Sequence, residues 1–318
     1  MILSILIPTY NRSSDLKSNL NMLKEYIING GWQNEVSLII SNNYSSDDTE
    51  NVIKDFKASN NDIIVDHYFQ DDNIGLERNA LFTLEKASSE YIMYLGDDDY
   101  IEFDYLRRVL EIIKGVRSVS AIFPAFIPIS PNGEKLLGGR DLHEPSKYYK
   151  KGFKNCLLNS NKGHQLSGLV FKRKGLLNSY VENKVQNIYP FIYFSAYSCI
   201  NGDSYHLTDY PILVTQPGQE NKDWNYGNDG LLNEIFDNYN KLQVNYLKKS
   251  LLQYYFFDKQ RWRLFRYLRI GNKVFNKAFK SILFSENSTY AFRFLFLLRV
   301  LFTYSKIKLL QKPKVDKY

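Results

Sequence analysis

The chain predicts an α/β fold, a doubly wound and mostly parallel sheet, carrying an α-helical C-terminal extension. Three observations lead there. Short apolar runs that suit buried strands alternate with stretches of helical periodicity through the first hundred residues, the pattern of a parallel sheet. Polar clusters follow each run, at the strand ends where ligands bind in open α/β sheets. Beyond Pro217-Gly218-Gln219-Glu220-Asn221 only helical periodicity remains, which predicts two domains, 1–218 and 219–318.

Taken in order, Ile2-Leu3-Ser4-Ile5-Leu6-Ile7 is the first strand, closed by Pro8 and the loop Thr9-Tyr10-Asn11-Arg12. Ser13, Ser14 and Asp15 can cap a helix to about residue 29, with Leu16, Leu20, Leu23 and Ile27 on one face and Gly30-Gly31 as its stop. Residues 36–40 predict a second strand, then a polar loop and a helix to about residue 58. Residues 63–69 predict a third strand, and residues 76–88 a helix aligning Leu76, Ala80, Leu84 and Ala87. The fourth strand, from Tyr91, runs into Gly96-Asp97-Asp98-Asp99. A helix at 103–114 and a strand at 121–123 follow. Residues 128–163 lack periodicity and read as a long surface excursion. A strand at 166–171, a helix at 191–200 and a strand at 204–214 complete the first domain.

Composition is that of a globular protein with ample core: 44% hydrophobic, 24% charged and 15% aromatic. No apolar stretch approaches the ~20 residues needed to span a bilayer, and no basic region precedes the first strand, so no signal peptide is expected. Cys156 and Cys199 lack metal spacing and read as buried thiols in a reducing cytoplasm. The net charge of +7 is uneven. Residues 241–318 hold 18 Lys and Arg against Asp258, Glu286 and Asp316, a net +15, which leaves the first 240 residues at −8. An acidic body with a basic tail suggests two tasks.

Three adjacent carboxylates at a strand end repel one another, so something positive is expected beside them. Oxygen-only ligands suit a hard divalent ion, Mg²⁺ or Mn²⁺, while an acidic helix-capping loop is the plainer alternative. The other strand-end loops add Thr9, Tyr10 and Arg12, then Asn42 and Asn43, then Asn73, Arg78 and Asn79. Together they offer an aromatic surface, amides for a base or ribose, and guanidinium groups for phosphate. Neither common glycine-rich phosphate loop is present, which leaves a diphosphate to metal and Arg.

These segments resemble family 2 glycosyltransferases of the GT-A fold, a Rossmann-like doubly wound sheet, of bacterial surface-polysaccharide type. The likeness is carried by Ile5-Leu6-Ile7-Pro8-Thr9-Tyr10-Asn11-Arg12, by residues 41–49, by Asn73-Ile74-Gly75-Leu76-Glu77-Arg78-Asn79 and by Gly96-Asp97-Asp98-Asp99 in the place of the "DxD" region. It covers residues 1–110 well and 160–215 loosely. The resemblance implies a metal-dependent, inverting transfer of sugar from a nucleotide donor. Pro8, Thr9 and Tyr10 would border the base, with Arg12 and Asn42 also on the donor side. Arg78 would approach the pyrophosphate, Asp97 the ribose or metal, and Asp98 would be the main metal ligand; Asp99 would be structural. Stabilising the leaving group would be the ion's contribution.

Two positions depart from that pattern. Asn42 stands where an Asp usually accepts from the base. Phe191 falls where an acidic general base is expected, and it cannot take a proton. The remaining candidates are His164, Asp203, Asp209 and Asp223, of which His164 has the suitable intrinsic pKa. Asp223 lies with Trp224 and Tyr226 where a loop could close over the site.

In the tail, Lys259, Arg263, Arg266, Arg269 and Lys273 interleave with Trp262, Phe265 and Leu268, and residues 290–302 are apolar but broken by two Arg. Such a segment suits a membrane surface better than a span, and implies a peripheral enzyme on the cytoplasmic face whose acceptor is a lipid-linked capsule or O-antigen saccharide. A packed helical bundle or homodimer contact is the alternative. No nucleic-acid module is present, so no nucleic-acid partner is expected. Two other functions fit less well: a sugar nucleotidyltransferase, which would carry a glycine-rich basic first loop, and a non-catalytic sugar- or nucleotide-binding relative, which the missing base favours and the retained Arg78, Asp97 and Asp98 oppose.

Overall fold

The computed structural model describes residues 1–216 and 232–310, in two compact units, Met1–Asp223 and Trp224–Tyr318. The expected boundary at residues 217–221, and with it Asp223, Trp224 and Tyr226, lies outside the described residues.

The first unit opens with β1 (Leu3–Thr9), α1 (Ser13–Asn29), β2 (Val36–Asn42), α2 (Thr49–Ser59), β3 (Ile64–Phe69), α3 (Gly75–Lys86), β4 (Tyr91–Tyr94) and α4 (Phe103–Gly115). It continues with β5 (Val119–Ile129), β6 (Lys147–Tyr149), α5 (Phe153–Asn159), β7 (Val170–Lys172), α6 (Leu176–Glu182), α7 (Pro190–Asn201) and β8 (Asp203–Thr215). These strands form one sheet in the order β3-β2-β1-β4-β7-β5-β8-β6. Pairing is parallel between β1 and both β2 and β4, between β2 and β3, and between β5 and β8. Short β7 runs antiparallel between β4 and β5, and β6 antiparallel to β8.

Every residue of β1, β2 and β4 is buried, as expected of strands covered on both faces. Leu3, Ile5 and Ile7 share a core with Leu16, Leu20, Leu23 and Ile27 of α1, the face expected from their spacing. On the other face Tyr94 donates to the Ala80 carbonyl of α3 at 2.9 Å. The register Thr9 to Asn42 and Asn42 to Phe69 brings the strand-end loops to one edge.

The segment read as a surface excursion is partly interior. Within it lie β6, α5 and a 3-10 turn, Ser160–His164, and Asn155, Cys156 and Asn159 are buried. Polar bonds rather than apolar periodicity hold it: the Asn155 amide donates to the carbonyls of Cys199 (3.3 Å) and Gly202 (3.4 Å) and accepts from Ser204 (2.7 Å). A hydrophobic pattern cannot report such burial. The strand expected at 166–171 shrinks to β7, because the chain bends at Gly168, where φ is +74° and a Cβ would lie 3.0 Å from Ile212 and 3.1 Å from Pro124. Helix α6, seven residues long, was too short to show a period.

The second unit is helical: α8 (Leu232–Asn240), α9 (Tyr246–Ile270), α10 (Asn272–Phe284) and α11 (Tyr290–Leu310). Asn245 caps α9 by accepting from the Lys248 amide at 3.0 Å. Ring contacts join the helices, with Phe236 and Phe292 centroids 4.7 Å apart and Phe257 and Phe296 4.8 Å apart. Among the described residues no helix is long and apolar enough to cross a membrane.

Candidate active site

The three carboxylates of the acidic loop are handled in three ways. Asp97 is buried and accepts from the Thr9 hydroxyl at 2.6 Å. Burial first, then the charge of Asp98, pushes its pKa up from 3.8 to about 7. Asp98, half-buried, accepts from Arg12 Nη1 at 2.7 Å, and the same nitrogen lies 3.8 Å from Asp15. Asp99 is saturated: Oδ1 accepts from the Thr215 amide (2.9 Å), and Oδ2 from Gln165 (3.0 Å) and Ser167 (2.5 Å). Burial and the neighbouring Asp98 also raise Asp99 to about 7. The positive group expected beside the triplet is thus supplied in part by the chain itself, as Arg12.

Gly96 makes this packing possible. A Cβ there would lie 3.1 Å from Ser167 Oγ, 3.2 Å from Asp99 Oδ2 and 3.4 Å from Asp98 Oδ1. Beneath the loop, Asn19 of α1 donates to the carbonyls of Gly96 (3.1 Å) and Asp99 (2.6 Å).

The loops after β1 and β2 are tied together. The Asn11 amide donates to Ser45 (2.8 Å), Ser46 to Asn11 Oδ1 (2.8 Å) and the Ser13 amide to Asp47 (3.0 Å). Pro8 is buried inside β1, and Tyr10 is half-buried at its exit. Asn42 is buried, and its Oδ1 accepts from the Ser45 amide at 3.1 Å, so its carbonyl shapes its own turn. Asn43 bonds Asn73 (2.8 Å) and accepts from the Ile74 amide (2.9 Å), fixing the entry to α3. Asn79 is structural, exchanging bonds with Ser41. Arg78, in the first turn of α3, is exposed and has no ion-pair partner among the described residues.

Thr9 therefore bonds Asp97 and Arg12 bonds the adjacent Asp98, Asn42 stands on the adjoining strand end, and Arg78 lies in the first turn of α3. His164 ends the 3-10 turn directly before Gln165, and its ring stacks on Tyr189 with centroids 5.0 Å apart. Phe191 is buried in α7 and packs edge-on against Tyr94 at 4.8 Å, a core residue as its type demands. Asp203 accepts from the Lys151 amide (2.8 Å) and the Tyr148 hydroxyl, tying β6 to β8, while Asp209 is exposed.

Sequence reasoning missed Gln165, Ser167 and Thr215, which reach the triplet from far along the chain. It also missed a buried ionic cluster. Asp141 Oδ2 lies 2.5 Å from Lys162 Nζ, 3.0 Å from His206 Nε2 and 3.8 Å from Arg140 Nε. Arg140 also donates to the carbonyls of Lys162 (3.0 Å) and Pro124 (3.1 Å). Against the pull of burial, bonds from His206 and Lys162 hold the Asp141 pKa well below the usual range; burial pushes those of Lys162 and His206 down. The only signal was four charged or titratable residues scattered between positions 140 and 206.

Among the described residues no three His, Cys, Asp or Glu side chains are grouped to hold a metal. The pair Asp97 and Asp98 nevertheless fits a Mg²⁺- or Mn²⁺-type ion. Each uses one carboxylate oxygen within the chain, and such ions take one or two carboxylates and complete their shell with substrate phosphates and water. Asp99, with both oxygens engaged, does not fit.

The sequence model of Glycosyl transferase family 2 matches residues 4–176. A GalNAc(5)-diNAcBac-PP-undecaprenol beta-1,3-glucosyltransferase of Campylobacter jejuni is 28% identical over 154 residues, 48% of this chain and 47% of that protein. Abequosyltransferase RfbV of Salmonella typhimurium is 31% identical over 106 residues, 33% of this chain and 31% of that one. The chain thus spans half or less of the length of these curated relatives. In structure it resembles S. aureus TarS 1-349 in complex with UDP-GlcNAc, with a TM-score of 0.70 at 16% identity, covering 97% of this chain and 88% of that one. It also resembles mannosyltransferase PcManGT from Pyrobaculum calidifontis in complex with GDP-Man and Mn2+, with a TM-score of 0.58 at 14% identity, covering 98% and 81%. At these identities the two structures speak to the GT-A fold alone.

Proposed function

The chain belongs to glycosyl transferase family 2, and from that premise we propose that it moves a sugar, with inversion, from a nucleotide-diphosphate donor to a lipid-linked capsule or O-antigen saccharide. The observation that carries this reading is the pair of contacts Thr9–Asp97 and Arg12–Asp98 on the edge where the parallel strands end, with Arg78 at the start of α3 exposed and without an ion-pair partner among the described residues. Residues 1–218 would form the catalytic domain and residues 219–318 the helical one.

Pro8, Thr9, Tyr10 and Asn42 would surround the nucleoside, and Arg78 the pyrophosphate. Asp97 and Asp98 would hold Mn²⁺ or Mg²⁺, which when bound supplies charge neutralisation at the leaving diphosphate. Thr9 and Arg12 orient the two carboxylates, and Asp99 fixes the loop that carries them. His164, on the turn anchored through Gln165, would take the acceptor hydroxyl's proton. The lipid-linked acceptor draws on the Campylobacter relative, whose name includes PP-undecaprenol. Such an acceptor would place the enzyme at the cytoplasmic face of the membrane, and the basic tail supports that placement.

Calorimetric titration of UDP, GDP, CDP and TDP, each with and without Mn²⁺, tests the donor site. One nucleotide should bind in a metal-dependent way, and Asp98→Ala should abolish that dependence. Absence of binding by the folded protein would reject the donor reading, and binding without turnover over a broad acceptor panel would favour a non-catalytic relative.

A further inference from the structure

Helix α11 is apolar on two sides. Phe292, Phe296 and Val300 recur every four residues and are buried, with Phe292 and Phe296 packed against Phe236, Phe257 and Phe279 of the neighbouring helices. Tyr290, Phe294, Leu297, Leu298, Leu301 and Phe302, spaced by i, i+4, i+7, i+8, i+11 and i+12, form a second stripe left 37–78% exposed. An exposed apolar patch of this extent marks an interaction surface.

Charge decides the occupant. Arg293 and Arg299 flank the stripe but are already engaged, the first with the carbonyls of Ser288 (3.1 Å) and Ser285 (2.8 Å), the second with Asp258 (2.6 Å). Arg266, Arg269, Lys273 and Lys280 on α9 and α10 are exposed and pair with no carboxylate among the described residues. With 18 cations against three carboxylates over residues 241–318, a second copy of the chain would meet like charge. An anionic lipid surface offers both an apolar layer and the opposite charge. We propose that the outer face of α11 inserts into the acyl boundary of an anionic bilayer, while the unpaired cations of α9 and α10 engage its headgroups. The proposal deepens the reading of a lipid-linked acceptor by naming the surface that meets the lipid.

Full-length protein would be sedimented with vesicles of phosphatidylcholine alone and of phosphatidylcholine mixed with phosphatidylglycerol. Wild type should pellet with the mixed vesicles and stay in solution with the neutral ones. Phe294→Ser/Leu298→Ser/Leu301→Ser should weaken that binding about tenfold or more, with helical content unchanged, because each loses an apolar group from lipid. Lys273→Glu/Lys280→Glu should remove the preference for phosphatidylglycerol and leave the stripe intact. Failure of wild type to bind mixed vesicles would overturn the proposal, as would equal binding by the triple serine variant. A dimer in light scattering that the triple variant abolishes, without lipid binding, would assign the stripe to a second copy instead. Nucleotide titration on the same samples keeps the two readings apart, since the substituted residues belong to the second unit and the candidate donor residues to the first.

Discussion

Asp97 is a single residue with two opposing demands. Its burial favours the proton, whereas a divalent ion needs the carboxylate. With its pKa at about 7 instead of 3.8, folded Asp97 keeps a proton that the unfolded chain has already released between pH 4 and 7. The unfolded state binds fewer protons there, so this group lowers stability as pH rises through that window and adds nothing further above it. Metal-free Asp97→Asn should therefore lose less stability than wild type between pH 4 and 7 in denaturant titrations; equal losses would contradict the raised pKa. On wild type, Mn²⁺ affinity should fall as pH drops from 8 to 6, and the protons released per ion bound should rise toward one at pH 6 if Asp97 is a ligand. The residues of the acidic loop were legible in sequence, and the resemblance gave Asp99 a structural part, but the partners of each carboxylate were not legible. Whether a carboxylate meets Thr9, Arg12 or Ser167 depends on partners that proximity along the chain does not reveal.

At the scale of elements, the turn between α5 and β7 links the buried ionic cluster to the acidic loop. Lys162 at its start holds Asp141, and Gln165 and Ser167 hold Asp99. Replacing Lys162 by Met leaves Asp141 with His206, whose pKa burial pushes down, and with Arg140 at 3.8 Å. Removing one partner of a largely buried pair costs about 3 kcal/mol. Lys162→Met should lower unfolding free energy by about that amount in chemical denaturation, and the double variant Lys162→Met/Asp141→Leu should recover much of it. No recovery would mean that the pair does not act as a unit. A similar tether joins α3 to the loop before α7, where Glu77 accepts from the Tyr180 hydroxyl (2.6 Å) and the Asn187 amide (2.9 Å). Strands β1, β2 and β4 and helix α1 were readable because they bury continuous or regularly spaced apolar residues, while edge strand β3 buries only Val65. The stretch from Lys147 to His164 was not readable, since short elements held by Asn, Ser and buried ions leave no hydrophobic period.

For the whole molecule, an acidic first unit and a basic helical second unit match the charge asymmetry of the sequence. In fractionated cells the protein should sediment with membranes at low salt and be released by carbonate or high salt, because its lipid contact is peripheral and partly electrostatic. Recovery wholly in the low-salt soluble fraction would remove the membrane-surface reading. By itself the sequence determined the alternation of strand and helix, the edge on which polar loops collect, the Asp triplet at the end of the fourth strand and the helical, cationic tail. Each is written in neighbouring residues, through periodicity, punctuation and local charge. Only the tertiary structure decided that Arg12 pairs with Asp98, that Gln165, Ser167 and Thr215 are the partners of Asp99, that Phe191 packs on Tyr94, and that α11 keeps an exposed apolar stripe. Those outcomes depend on which distant side chains share a buried space, and burial is a property of the packed chain.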